Sequence, residues 1–200
     1  KEYEGVARFF RAYFYYNKVK RFGEVPWFSE VLSSTDDRLY SPRTPRNELV
    51  NNIIADLDYA IDNLPTAKNL YRVTKWAALA LKSRVCLYEG TWRKYHGVSG
   101  YESYLTAAAT AAETLIDSRQ YTIYATGEQP YRDLFAADKA KAEEVILARN
   151  YFLGLSIVHS ANLYFFGGGS APGLNKKVVD SYLLKDGSRF TDQADYDKMQ

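Results

Sequence analysis

The sequence predicts a mainly α-helical fold built from helical hairpins. Two segments, at 46–65 and 74–97, carry apolar residues at spacings of three and four and are joined by a short polar linker. Residues typical of helix starts and stops bracket both segments. A third such segment starts near 101, so successive helical starts lie about 26 to 30 residues apart, as in stacked hairpins without a strict repeat.

The first 22 residues predict an opening helix. Arg8, Arg11, Tyr15 and Lys18 share one side of it. The opposite side is aromatic and apolar, and we predict that it is buried. It comprises Val6, Phe9, Phe10, Tyr13 and Phe14. Gly23 and Pro26 then break the helical pattern, and a polar, turn-rich stretch follows at 33–45.

The central pair of helices has the clearest periodicity. Thr44-Pro45 supplies a start for the first helix and Leu64-Pro65 a stop. Its apolar stripe is Leu49, Ile53, Leu57, Ala60, Ile61 and Leu64. Thr74 is the predicted cap of the second helix, and Gly97 ends it. Its stripe is Ala77, Leu81, Val85, Tyr88 and Trp92.

The remaining elements are shorter. An alanine-rich helix is expected at about 102–118. Its predicted apolar face is Leu105, Ala108, Ala109, Ala112, Leu115 and Ile116. A helical turn is expected at 130–135, and a strand, or alternatively a brief helix, at 144–150. From 151 the chain is aromatic and glycine-rich, until a short helix and a turn at Asp186-Gly187.

The composition is that of a globular protein and excludes several classes. The 200 residues are 46% hydrophobic and 25% charged, with a net charge of +2, which gives no electrostatic footprint for nucleic acid. The one cysteine, Cys86, is expected to be a buried apolar residue. We expect no cofactor and no metal, since the two histidines and the cysteine lack a zinc spacing. Tyrosine is abundant, at 18 residues, and suits surfaces that bind sugars or proteins.

Seven segments in order resemble the SusD/RagB family of nutrient-binding outer-membrane lipoproteins of Bacteroidota. The longest are FFRAYFYYNKVKRFGEVPWF at 9–28, IIADLDYAIDNLP at 53–65 and RVTKWAALALKSRVCLYEGTW at 72–92. The others are AAETLIDSRQYTIY at 111–124, YRDLF at 131–135, EEVILARNY at 143–151 and VVDSYLLKDG at 178–187.

The resemblance implies a fold and a division of the chain. The fold is a set of tetratricopeptide-like hairpins with a loop-rich, irregular ligand-binding part. We therefore expect 1–200 to be a partial SusD/RagB-like domain, with a helical scaffold at 1–150 and the start of the ligand-binding part at 151–200. Family members are longer than this chain and begin with a signal peptide and a lipid-modified cysteine, so a fragment is expected.

The resemblance also implies a function without catalysis. Such proteins capture an oligosaccharide or another nutrient at the outer-membrane surface, where a lipid anchor absent from this chain holds them, and deliver it to a SusC-like TonB-dependent transporter. A helical-repeat interaction scaffold without sugar binding is the alternative. A glycoside hydrolase is a third, but the carboxylates at 36–37, 56–62 and 143–144 show no spacing that indicates a catalytic pair.

Two places combine flat aromatic rings with hydrogen-bonding groups, as sugar binding requires. The first is the aromatic loop, with Tyr151, His159, Asn162, Tyr164 and Phe165 as predicted ligand-binding residues. Its alternative is that these rings pack beneath the loop. The second is the end of the 74–97 helix, with Trp92 and Tyr95 beside His96. Its alternative is an ordinary helix end packed on a neighbour.

Overall fold

The computed structural model describes residues 1–160 and 173–192. Within them lie four long α-helices, α1 (Glu2–Phe22), α2 (Arg46–Asn63), α3 (Lys75–Tyr95) and α4 (Tyr101–Asp117). Two short ones follow, α5 (Pro130–Phe135) and α6 (Lys176–Asp180). Brief 3-10 turns occur at Asp37–Tyr40, Leu153–Leu155 and Phe190–Asp192. The prediction of a mainly helical fold is confirmed.

The chain forms two compact units, Lys1–Arg149 and Asn150–Gln200. In the first unit, α3 packs against α2 on one side and α4 on the other, and α1 packs mainly on α2. The core between α1, α2 and α3 contains the predicted α2 stripe, in which Leu49, Ile53 and Leu57 are almost completely buried. Because α3 lies between two helices, it also buries Trp76, Leu79 and Cys86 outside its predicted stripe.

Two close backbone approaches depend on glycine. A Cβ atom at Gly90 of α3 would lie 2.7 Å from Cδ2 of Leu105 in α4, and 3.2 Å from the Leu105 backbone nitrogen. A Cβ atom at Gly5 of α1 would lie 3.3 Å from Leu64 Cγ. Glycine therefore sets the distance between α3 and α4, where the Ser83 hydroxyl also donates to the Ala108 carbonyl at 2.9 Å.

The predicted buried face of α1 is correct for Phe9 but wrong for Phe10, Tyr13 and Phe14. The helix buries Gly5, Phe9, Ala12, Tyr15 and Val19, whereas Phe10, Tyr13 and Phe14 are each about half exposed. Aromatic residues occupy both sides of α1, so periodicity alone could not locate its buried side. The small residues Gly5 and Ala12 decide it, because they allow α1 to approach its neighbours closely.

The predicted strand at 144–150 is also wrong. This segment begins as a turn and continues without regular structure, and no other strand occurs at 1–160 or 173–192, where there are only isolated bridges. The Ala148 amide donates to the Leu70 carbonyl at 2.8 Å, and Ile146 packs against the core. Ile146 therefore covers the helices from a segment that pairs with no other strand in the described ranges.

Two further expectations differ in detail. Thr74 occupies the N-cap position of α3, but its side chain makes no capping hydrogen bond. On α4, Ala108 and Ala111 are buried, whereas Ala109 and Ile116 of the predicted face are exposed.

In the second unit, the predicted short helix and turn are confirmed. Asn175 caps α6 by accepting a hydrogen bond from the Lys177 amide at 2.9 Å. The turn at Asp186-Gly187 closes with the Leu184 amide donating to the Ser188 carbonyl at 2.8 Å. Gly187 has φ +85°, a conformation that favours glycine.

Candidate functional site

The C-terminal end of α3 brings the predicted ligand-binding residues Trp92 and Tyr95 together with the neighbouring His96. The rings of Trp92 and His96 stack with centroids 4.4 Å apart and planes inclined by 18°. Nδ1 of His96 lies 2.7 Å from the Trp92 carbonyl oxygen and must donate to it, since a carbonyl only accepts. Tyr95 points into solvent and is 83% exposed. The structure thus places Trp92, Tyr95 and His96 within one helical turn, where Tyr95 and His96 are exposed and Trp92 is partly buried.

A buried polar network lies behind Trp92. The Arg46 guanidinium carbon is 3.7 Å from the Trp92 ring centroid, and its Nη2 donates to Glu89 at 2.7 Å. Glu89 also accepts from Arg93 Nε at 2.8 Å, and Arg93 donates to Asn47. Glu89 and Arg93 are buried, so this network ties α2 to α3 and holds Arg46 against Trp92. Sequence patterns gave no sign of it, because Glu89 lies outside the apolar stripe of α3.

In the second unit, Tyr151 and His159 of the predicted loop site are in contact. Their ring centroids are 4.9 Å apart and the planes are perpendicular. An isolated antiparallel bridge between Phe152 and Ile157 brings the two ends of this segment together. Asn162, Tyr164 and Phe165 lie outside the described residues. The assignment of all five residues to a ligand site therefore stays a prediction.

A further concave surface, which the sequence did not suggest, lies where α1 ends. This aromatic hollow has a volume of about 360 Å³. It is lined by Phe14, Tyr15, Lys18, Phe22, Val25, Pro26 and Phe28. The spacing of residues 14, 18 and 22, each four apart on one helix face and followed by Pro-Trp-Phe, is the signal that could have indicated it.

Several of the carboxylates considered for a hydrolase form ion pairs or hydrogen bonds within the protein. Asp56 is buried and accepts two hydrogen bonds of 2.6 Å from Arg11 of α1, with Arg8 Nη1 at 3.7 Å. Asp58 pairs with Lys82 at 2.5 Å, and Glu144 accepts from the Tyr124 amide at 2.7 Å. These contacts hold helices and loops together. Nothing in the sequence pattern indicated that Asp56 would be buried.

The described residues do not favour a cysteine nucleophile, a metal site or a membrane-spanning helix. Burial raises the pKa of the Cys86 thiol to about 11, which is unfavourable for a nucleophile. Within residues 1–160 and 173–192, no three His, Cys, Asp or Glu side chains come together in a way that could hold a metal ion. In the same ranges, no helix has both the length and the apolar character needed to cross a membrane.

Comparison with known proteins finds similarity to one family. Residues 1–87 match a SusD-like family model described as starch-binding and associating with the outer membrane. SusD-like protein P38 of Formosa agariphila is 30% identical over 138 residues, which are 69% of this chain and 25% of that protein. This chain is similar to SusD-like proteins over these residues. The predicted resemblance is therefore confirmed.

Solved structures support the same SusD-like fold. A SusD homolog from Bacteroides thetaiotaomicron matches with a TM-score of 0.59 and 28% identity, over 72% of this chain and 27% of that chain. A protein crystallised with a xylogluco-oligosaccharide matches with a TM-score of 0.56 and 26% identity, over 73% of this chain and 28% of that one. This chain thus spans about a quarter of the length of the relatives it matches.

Proposed function

We propose that this protein captures a glycan, or a related nutrient, at the outer-membrane surface and delivers it to a SusC-like TonB-dependent transporter. The observation that carries the proposal is the match of residues 1–87 to the family of starch-binding proteins associated with the outer membrane. Similarity to a protein crystallised with a xylogluco-oligosaccharide supports an oligosaccharide as the ligand. In this proposal the protein is a surface-exposed lipoprotein and performs no covalent chemistry.

We assign the two parts of the chain different tasks. Residues 1–150 form the helical scaffold, whose long helices are joined by buried polar contacts such as Arg11–Asp56 and Arg46–Glu89. Residues 151–200 begin the ligand-binding part. A scaffold held this firmly suits a protein that must present a binding surface without rearranging its own core.

The ligand-binding residues we propose are those in which an aromatic ring lies beside a hydrogen-bonding group. In the second unit these are Tyr151, which is 45% exposed, and His159, together with Asn162, Tyr164 and Phe165 from the rest of the aromatic loop. In the first unit Tyr95 offers an accessible ring and hydroxyl. Trp92 offers less free ring surface, because Arg46 and His96 both contact it.

Substitution of single rings tests the site assignment. We expect Tyr164→Ala to weaken the binding of an oligosaccharide ligand by about tenfold, the loss typical of one stacked aromatic ring. Tyr3→Ala is the matched control, since Tyr3 is 91% exposed and is far along the sequence from both Tyr95 and Tyr164. Unchanged affinity in Tyr164→Ala and Tyr95→Ala would reject these residues while leaving the family assignment intact.

The proposed interaction with a transporter is tested by a separate experiment. We expect an affinity-tagged full-length protein to co-purify from detergent-solubilised outer membranes with a SusC-like TonB-dependent transporter. Recovery of the tagged protein alone, under conditions that preserve a control transporter complex, would contradict delivery to that partner.

One observation favours the alternative of a protein-interaction scaffold. The outward face of α1 presents Tyr3, Phe10 and Phe14, which are 91, 52 and 53% exposed. Aromatic side chains of this kind are enriched in protein interfaces. If glycans fail to bind and the same face is protected from labelling in a protein complex, the scaffold function replaces glycan capture.

A further inference from the structure

The aromatic hollow at the end of α1 has the dimensions of a small-ligand site. Its volume of about 360 Å³ falls at the lower end of the range for ligand clefts, which is suited to a ligand of one or two sugar rings. Phe14 and Phe22 stand two helical turns apart, and each is about half exposed. Their rings therefore offer apolar faces to a molecule that enters the hollow.

The opposite wall of the hollow is fixed before any ligand binds. The Phe28 amide donates to the Tyr15 hydroxyl at 2.7 Å, and the Trp27 amide donates to Thr44 Oγ1 at 3.0 Å. The Trp27 ring also packs on the Tyr15 ring, with centroids 4.2 Å apart. Because these contacts hold the Pro-Trp-Phe segment on α1, a ligand would not have to order this wall.

Two cations border the rings without a carboxylate partner. Lys18 Nζ lies 5.1 Å from the Phe14 centroid and 5.4 Å from the Phe22 centroid, and Arg21 Cζ lies 5.5 Å from the Phe22 centroid. In the part of the chain that the structure describes, neither cation forms an ion pair, and no acidic side chain lines the hollow. Positive charge beside aromatic faces is complementary to a ligand that is both flat and anionic.

We propose that the aromatic hollow binds an acidic sugar residue, one that carries a carboxylate or a sulfate group, as a second glycan site. The C–H face of the sugar packs on Phe14 and Phe22, and the anionic group accepts a hydrogen bond from Lys18. The backbone cannot replace this lysine, because the C-terminal end of a helix carries partial negative charge and repels anions. The proposal rests on the proposed function and adds a ligand class to it.

Matched pairs of oligosaccharides test the charge requirement. The full-length protein is titrated calorimetrically with trigalacturonate and with its methyl ester, and with a κ-carrageenan tetrasaccharide and its desulfated form. We expect at least one acidic member to bind about tenfold more tightly than its neutral partner, the gain typical of one charge-assisted hydrogen bond. That gain should shrink as salt is raised, because the charges are partly exposed.

Substitutions locate the site within the protein. Lys18→Gln should abolish the preference for the acidic member, and Phe22→Leu should weaken both members of the pair. Lys20→Gln is the matched control, because this substitution removes the same charge from the same helix. Lys20 lies outside the hollow, with its Nζ 4.3 Å from the Tyr16 ring centroid. Circular dichroism of each variant confirms that the helices are retained.

The outcomes separate the two proposals. If oligosaccharides bind but neutral and acidic partners bind alike, or if Lys18→Gln behaves like Lys20→Gln, the acidic-sugar site is rejected and glycan capture stands. If no oligosaccharide binds, both proposals fail. Lys18-dependent binding of a hexaglutamate peptide, without any binding of acidic sugars, would assign the hollow to an acidic polypeptide and overturn the inference.

Discussion

The Arg46 guanidinium carbon lies 3.7 Å from the centroid of the Trp92 ring, while its Nε and Nη2 donate to Glu89. Trp92, which the sequence predicts to contact sugar, is thereby held in place by the Arg46 cation of α2. The buried Glu89 carboxylate of α3 in turn fixes the position of Arg46. Since His96 stacks on the same ring, much of the Trp92 surface is already in contact with the protein. Trp92 thus contributes to helix packing, whatever else it does.

Trp92 and Tyr95 should therefore respond differently to truncation. Trp92→Ala should lower the free energy of unfolding by about 2 kcal/mol, because ring packing and the cation–π contact are lost. Tyr95→Ala should change it by less than about 0.5 kcal/mol, as for other exposed side chains. Urea denaturation of the full-length protein, followed by circular dichroism, measures both. Equal losses in the two variants would contradict the packing described for this helix end.

Asp56 should be among the most sensitive polar positions of the scaffold. Asp56→Ala leaves Arg11 without its carboxylate in a partly buried place, and should cost about 3–5 kcal/mol. Asp58→Ala, two residues away, removes a half-exposed partner of Lys82 and should cost less than about 1 kcal/mol. Calorimetric unfolding of both variants gives the comparison. A small effect at Asp56 would mean that its ion pair does not join α1 to α2.

Gly90 should not tolerate a methyl group. Gly90→Ala places a carbon 2.7 Å from Leu105 Cδ2 and should destabilise the protein by about 1–3 kcal/mol through overpacking between α3 and α4. The additional substitution Leu105→Ala should recover part of this loss, because it removes the nearest side-chain atoms. A neutral or stabilising effect of Gly90→Ala alone, seen in thermal unfolding, would show that the two helices have room to separate.

Cys86 should react only when the protein unfolds. Its side chain is fully buried, and burial raises the pKa of the thiol to about 11. Labelling with a chromogenic disulfide reagent at pH 8 should be slow in the native protein and fast in denaturant.

The same shift links Cys86 to stability at alkaline pH. Because the thiol ionises at a lower pH in the unfolded chain, its contribution to stability is complete below about pH 9 and declines as the pH rises towards 11. A Cys86→Ala variant should lack this component of the pH dependence. Rapid labelling of the native protein at pH 8 would contradict the buried position.

The sequence predicted the parts of the fold in which the apolar periodicity and the signals at the helix ends are clear. The bounds and buried stripe of α2 follow from periodicity and punctuation, and so do the approximate bounds of α3 and α4. The buried side of α1 did not follow, because both sides of that helix carry aromatic rings. For residues 144–150, β-branched composition predicted a strand, but no partner strand adjoins the segment in the described ranges.

The candidate site was less predictable, for a different physical reason. A pattern of residue types indicated that Trp92 and Tyr95 share a helix end, yet it could not show that Arg46, from another helix, covers Trp92. The aromatic hollow likewise combines α1 with the following loop, and Asp56 is buried because an arginine of α1 reaches it. Such contacts depend on how the helices pack, which residue spacing within one helix does not specify.

Capture without catalysis is the central claim, and one titration tests it most directly. The full-length protein is titrated calorimetrically with a panel of plant, host and microbial oligosaccharides, and each mixture is then analysed for cleavage products. We predict saturable heat with at least one oligosaccharide and no product. Absence of heat across the panel would contradict glycan capture, and the appearance of cleavage products that a single carboxylate substitution abolishes would show an enzyme instead.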